Sequence, residues 1–212
     1  GAGGAAMGYA RAGFEVVGVD LKSQPHYPFE FHCADAMTFP LGGFDAIHAS
    51  PPCQGYSRMR HLPWLKDNEY PMLIEPVRAR LRSSGVLWVI ENVEDAPLDP
   101  SFVLCGTMFD LPLYRHRRFE SNVLVLSPQH DGSHRHVIWG GRQLGSRYSS
   151  NSGGVVGVYG HIAGPGIEAA RDAMGIDWMT RDELTQAIPP AYTEFIGEQL
   201  MAALPRNIRH TS

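Results

Sequence analysis

At 212 residues, with 43% hydrophobic residues and a formal net charge of −4, the sequence can bury a substantial core as one domain. No stretch approaches the roughly 20 apolar residues of a membrane span, and the acidic balance excludes a general polyanion-coating protein, so any nucleic-acid site must be focused. Three cysteines, Cys33, Cys53 and Cys105, form no CxxC pair or metal-ligand spacing and cannot all pair within one chain, which points to a reduced, cytoplasmic setting. No charged n-region with an apolar h-region opens the sequence, so no secretory signal is expected.

In chain order, Gly1 to Gly4 lead into AAMGYARAG, a short helix closed by Gly13. FEVVGVD, Phe14 to Asp20, has the apolar texture of a buried strand ending on an acid. FDAIHAS, Phe44 to Ser50, is a second apolar run, broken by Pro51 and Pro52. The SPPC corner therefore lies just past a strand's carboxyl end, the edge at which open α/β sheets place ligand and catalytic loops. Met72 to Ser84 carries Leu73, Val77 and Leu81 at helical spacing, and Gly85 stops it. Val86 to Val93 is a nearly continuous apolar strand that includes Glu91 and Asn92 at its end, and Phe119 to Leu126 reads as another strand. This alternation predicts an α/β chain with a Rossmann-like, mostly parallel sheet and helices on both faces. Gly140 to Gly166 is rich in Gly and Ser and predicts a loop. Thr180 to Glu183 offers a capping box, and Pro189 and Pro190 precede an amphipathic final helix, AYTEFIGEQLMAAL. The organisation expected is a core over 1–126, a loop-rich region over 127–179 and C-terminal helices over 180–212.

Several of these residues suit chemistry. Gly1-x-Gly3-x-x-Ala6 with Asp20 about twenty residues on satisfies the nucleotide-binding fingerprint, in which glycines admit a ligand to the backbone and the acid takes ribose hydroxyls. A glycine-rich turn with a surface Asp satisfies the same pattern. Asp35 could bond an adenine amino group or cap the next turn. Cys53 follows two prolines that fix φ near −65° and remove two backbone donors, a stiff approach ending on a thiol. Core cysteines lie within apolar strands, whereas this one lies beyond a strand's end and suits a positioned nucleophile. Glu91 and Asn92 bring a carboxyl to a neighbouring strand end, and Arg115 and Arg117 bring guanidinium forks, or else form a solvated basic patch. His48 and His61 keep a cysteine-histidine pair open as an alternative. His130, His134, Arg135, His136, Arg142 and Arg147 form a cationic stretch able to grip phosphates, while HDGSHRH lacks a clear fourth ligand, so no metal site is expected.

GAGG, the acid of GVD, Asp35, PPCQ, ENV and the arginines of LYRHR occur in the order found in DNA cytosine-5 methyltransferases, and the chain resembles that family from Gly1 to about Leu126. IPPAYTEFIGEQL resembles the family's closing motif. The resemblance implies a class I methyltransferase fold, S-adenosylmethionine as cofactor, and DNA, with its target cytosine flipped out, as partner. It assigns Gly1, Ala2, Gly3, Gly4, Asp20, Asp35 and Pro52 to the cofactor, and Cys53, Glu91, Arg115 and Arg117 to catalysis. Pro51, Gln54, Asn92, Arg135 and Arg142 fall to the substrate, and residues 127–179 to a short target-recognition region. In the family's chemistry the cysteine adds to C6 of cytosine while the glutamate bonds N3.

The chain departs from the family in having Leu113 in place of Gln, in opening at GAGG without the strand and aromatic residue that precede it, and in leaving only about seventy residues between the arginine and closing motifs. A monomer of prokaryotic or phage type is expected. Alternatives are a truncated or inactive DNA-binding homologue, an RNA target, and an NAD-dependent oxidoreductase, the last resting only on GxGxxA and Asp20.

Overall fold

The computed structural model describes residues 1–57, 60, 62–63, 68–130, 137–138, 155–158 and 166–205. In chain order the elements are α1 (Gly4–Arg11), β1 (Val17–Asp20), β2 (Glu30–Cys33), β3 (Ala46–Ala49), α2 (Ile74–Ser84), β4 (Leu87–Asn92) and β5 (Ser101–Leu104), then β6 (Arg117–Ser121), β7 (Val137–Ile138), β8 (Val155–Val156), α3 (Ile167–Met174), α4 (Arg181–Gln186) and α5 (Pro190–Ala203). Three of the five strand pairings among the described residues are parallel, β1 with β2, β3 with β4 and β7 with β8. The chain is thus α/β with a mostly parallel arrangement of strands. No helix of the described residues is long and apolar enough to cross a membrane.

The chain forms two compact units that interleave in sequence. One comprises residues 1–36, 105–115 and the described part of 128–202; the other comprises 37–104, 116–127 and 203–205. In the first, Gly3 precedes α1 at φ 90°, a left-handed conformation that glycine adopts without a Cβ penalty. Gly8, in α1, is close enough to α5 that a Cβ would come within 2.1 Å of Thr193 Oγ1 and 2.2 Å of the Pro190 carbonyl. That intimacy lets Thr193 Oγ1 donate to the Ala5 carbonyl at 2.8 Å. Proline suits the first turn of α5, where its missing N–H has no intrahelical partner. The capping box expected at Thr180 is present, with the Thr180 hydroxyl accepting from Glu183 N–H and Glu183 reaching back. The core here gathers Leu113, Met174, Ile176, Met179 and Leu184, all 2% exposed or less.

The second unit is a four-stranded sheet in the order β3-β4-β6-β5, with α2 packing Ile74 and Leu81 against Trp88, Ile90 and Leu98. Arg78 is buried on α2 and its Nε donates to Glu120 at 2.8 and 3.1 Å, while Nη2 reaches Glu120 at 2.7 Å and the Pro97 carbonyl at 2.6 Å. Full use of the guanidinium fork is what makes such a buried charge tolerable.

Three sequence expectations need correction. The strand expected over Phe119–Leu126 is β6, Arg117–Ser121, and it runs antiparallel between β4 and β5. Asn122 ends it by accepting from Trp88 N–H at 2.8 Å and donating to the Val86 carbonyl at 3.0 Å, after which Leu124 and Leu126 are 82% and 71% exposed. Apolar alternation continued past the point where the ladder closed. Second, part of the stretch expected as loop is structured: Val156 N–H donates to the Pro112 carbonyl at 2.7 Å, its carbonyl accepts from Tyr114 N–H at 2.9 Å, and Val158 is buried. Most of the remainder of 140–166 lies outside the described residues. Third, β2, β5, β7 and α3 exist without having been expected; β2 and β5 are four residues each, and EFHC and SFVL are too short and mixed to show a period.

Candidate active site

Strand β3 delivers the chain to Ser50, after which Pro51 is buried and Pro52 exposed. Neighbouring β4 runs parallel to it, with Ala49 beside Ile90, so both strands end on the same side. Asn92, 1% exposed at the end of β4, donates from Nδ2 to the Pro51 carbonyl at 2.9 Å, and its Oδ1 accepts from Val93 N–H at 3.0 Å. The proline corner is therefore tied sideways to β4. Cys53 is half-buried just past this tie, and its carbonyl accepts the N–H groups of Tyr56 and Ser57, both at 3.0 Å. Gln54 is exposed.

One residue before Asn92, Glu91 is 6% exposed, and its Oε1 lies 3.1 Å from Arg117 Nε. The antiparallel register explains the meeting: Glu91 faces Phe119, which places Arg117, two residues along β6, on the same face. Arg117 Nη1 also donates to the His116 carbonyl at 2.8 Å. Asn92 is thus tied to the corner that leads to Cys53, and Glu91 is paired with Arg117, all at neighbouring strand ends of one unit. His48 stands on β3 with Nε2 2.9 Å from Ser50 Oγ, and burial pushes its pKa down to about 4.

Arg115 belongs to the other unit and is fully buried. Its Nη1 donates to the Val158 carbonyl at 2.5 Å, its Nη2 to the Thr185 carbonyl at 2.8 Å, and its own carbonyl accepts from Tyr192 Oη at 2.6 Å. This guanidinium braces two segments of backbone, so the two arginines of LYRHR have different local partners.

Also in the first unit, Asp20 ends β1. Its Oδ2 accepts from the Gly1 amine at 2.7 Å and from Gln24 Nε2 at 3.2 Å, and its Oδ1 from Lys22 N–H at 3.0 Å. Burial works to raise its pKa, but its hydrogen bonds outweigh it, and the pKa is lowered. Asp20 is a carboxylate held ionised at a strand end. Ala2, Gly3 and Gly4 are buried, and Trp178 Nε1 donates to the Ala2 carbonyl at 3.0 Å. A Cβ on Gly3 would meet Pro28 Cδ at 2.6 Å, so the glycine accommodates the loop between β1 and β2. Asp35 is exposed beyond β2. Arg135 and Arg142, with His134, His136 and Arg147, lie outside the described residues.

Two features were missed in the sequence. Leu21, directly after Asp20, is 71% exposed, an apolar surface beside the carboxylate; an apolar residue following an acid at a strand end was the available signal. Tyr27 stacks over Gly18, where a Cβ would lie 2.4 Å from its Cζ, and burial pushes its phenol up to about 12. No sequence signal marks that contact.

A solved structure from E. coli, of a prophage-encoded protein described as a candidate DNA modification methyltransferase, is similar to this chain with a TM-score of 0.64 and 12% identity, over 95% of this chain and 96% of the other. At that identity the likeness shows a shared fold. No protein-family model and no curated protein matches the chain.

Proposed function

We propose that the chain is a DNA methyltransferase that uses S-adenosylmethionine to modify C5 of cytosine, with Cys53 as nucleophile and Glu91 as its acid-base partner. The observation that carries this reading is the joining of the thiol's proline corner to β4 through Asn92 while Arg117 grips the adjacent Glu91. A structural cysteine needs neither the tie nor the buried carboxylate. The shared fold with the E. coli protein described as a candidate DNA modification methyltransferase supports the substrate class.

For the cofactor, the donor set fits on its own chemistry: an ionised carboxylate at the end of β1 suits a ribose diol, and exposed Leu21 suits the flat face of a base. Asp35 would take the adenine amino group, and Gly1 to Gly4 complete the set. When bound, S-adenosylmethionine supplies an electrophilic methyl group for C5.

The protein's own steps follow from its residues. Cys53 thiolate forms a bond to C6 of an extruded cytosine, and the electron pair displaced from the C5–C6 double bond is drawn toward N3, where Glu91, having taken up a proton for this step, delivers it. Arg117 holds the Glu91 carboxyl in place for that bond. After C5 is alkylated, the C5 proton leaves to a base, the C6–S bond breaks, the thiolate departs, and Glu91 recovers the N3 proton. Asn92 and Pro51 fix the corner, Gln54 is exposed beside Cys53 for the substrate, Arg115 braces the segment leading to Arg117, and Arg135 and Arg142 contact phosphates.

Fluorine in place of the C5 hydrogen blocks the elimination, because it cannot leave as a proton does. The protein incubated with 5-fluorocytosine DNA and methyl donor should therefore yield an adduct that survives denaturing electrophoresis, absent in Cys53→Ser and much slower in Glu91→Gln. An adduct persisting in Cys53→Ser places the nucleophile elsewhere. No adduct and no methylation would leave a DNA-binding homologue without catalysis as the better reading.

A further inference from the structure

Helix α2 begins without a side-chain cap of its own. The first N–H groups of a helix lack intrahelical partners, and here that of Ile74 is taken by a residue distant in sequence: it donates to the hydroxyl of Tyr56 at 3.1 Å. The Tyr56 ring is half-buried against the cluster of Ile74, Leu81, Trp88 and Ile90. Its own N–H, with that of Ser57, donates to the Cys53 carbonyl. Between them, Gly55 is buried, with Met72 Sδ 2.6 Å and Tyr70 Cβ 3.3 Å from where a Cβ would stand, and its carbonyl accepts from Arg60 Nη1 at 2.7 Å.

We infer that Tyr56 is a positioning residue for Cys53: its ring in the core and its hydroxyl on the first turn of α2 fix the turn that carries the thiol. Pro51, held by Asn92, secures that turn on its N-terminal side, and Tyr56 secures it on its C-terminal side. With only one side held, the sulfur would sweep through positions off line from C6, and small displacements of a reacting group are costly in rate. Tyrosine meets both requirements, an apolar body for the core and an oxygen acceptor at the helix start. The consequence for catalysis rests on the proposed role of Cys53.

Tyr56→Phe in the full chain keeps the ring and removes only the acceptor. Two rates test it: adduct formation with 5-fluorocytosine DNA and methyl donor, and alkylation of Cys53 by iodoacetamide without DNA, followed on the Cys53 peptide by mass spectrometry. We expect adduct formation about tenfold slower with DNA affinity unchanged, and alkylation several-fold faster as the half-buried thiol gains freedom. A residue that only supported the fold would lower the melting temperature and leave both rates of the folded protein as they were, and that result overturns the inference. Should the unaltered protein form no adduct, the proposed reaction fails, while the alkylation rate still decides for or against Tyr56.

Discussion

Arg117→Met removes the cation beside Glu91 while keeping a long side chain in its place. In the unaltered protein the pair meets at 3.1 Å with the side chains only 13% and 8% exposed. A charge-assisted hydrogen bond contributes about 1.5–3 kcal/mol, and breaking a buried pair by removing one partner costs about 3–5 kcal/mol, because the other charge is stranded. The lower end of that range, about 3 kcal/mol, is expected here because the side chains keep some contact with solvent. For a chain of this length that corresponds to a fall in Tm of roughly 5–10 °C. Adduct formation should slow by about a hundredfold, because the carboxyl is no longer held toward N3. Calorimetric melting and the 5-fluorocytosine assay measure the two effects separately. Adding Glu91→Gln removes the stranded charge, so the double variant should recover most of the lost Tm while its adduct formation stays slow. A melting temperature and adduct rate unchanged in Arg117→Met would refute the argument, as would stability losses that simply add in the double variant.

Titration calorimetry should show binding of S-adenosylmethionine or its demethylated product without competition from NAD, and Asp20→Asn should weaken it by about tenfold, the worth of a hydrogen bond to a charged group; NAD binding with no response to the methyl donor would overturn the cofactor assignment. His48 gives a pH signature: its folded pKa of about 4 lies below the ordinary value near 6.5, so the unfolded chain takes up the proton first as pH falls. Its contribution to stability is complete above about pH 6.5 and is lost between there and about pH 4; the residue is half-buried, so the loss should be about 1–2 kcal/mol, and His48→Gln should flatten that stretch of the Tm profile. DNA binding should weaken steeply with salt, and replacing Arg135, Arg142 and Arg147 by alanine should reduce the slope of log K against log salt by up to about three; an unchanged slope would remove this stretch as the phosphate contact.

The readable parts of the sequence were those in which local chemistry and local structure coincide. Proline after an apolar run placed Cys53 beyond a strand, and the structure has β3 ending at Ala49 just before it. Gly85 after a helical stripe marked the end of α2, where it adopts φ 75°. The bounds were less legible: β1 begins at Val17 and not at Phe14, because Phe14 N–H closes the end of α1 on the Tyr9 carbonyl at 3.1 Å. Glu91 and Arg117 were each visible as chemistry, but their ion pair depends on an antiparallel register that places Glu91 opposite Phe119. Tyr56 gave no signal as an anchor, since its partner Ile74 lies 18 residues away.

By itself the sequence determined the α/β class, helices α1, α2, α4 and α5, strands β1, β3, β4 and β6, and the residue types able to do chemistry at strand ends, because periodicity and backbone restriction act over a few residues and survive without any partner. Only the tertiary structure decided that β6 inserts antiparallel between β4 and β5, that Arg117 faces Glu91 while Arg115 braces backbone carbonyls, and that Tyr56 caps α2. Those outcomes depend on which distant segments bury together, and a buried charge or N–H takes its partner from whatever segment packs beside it.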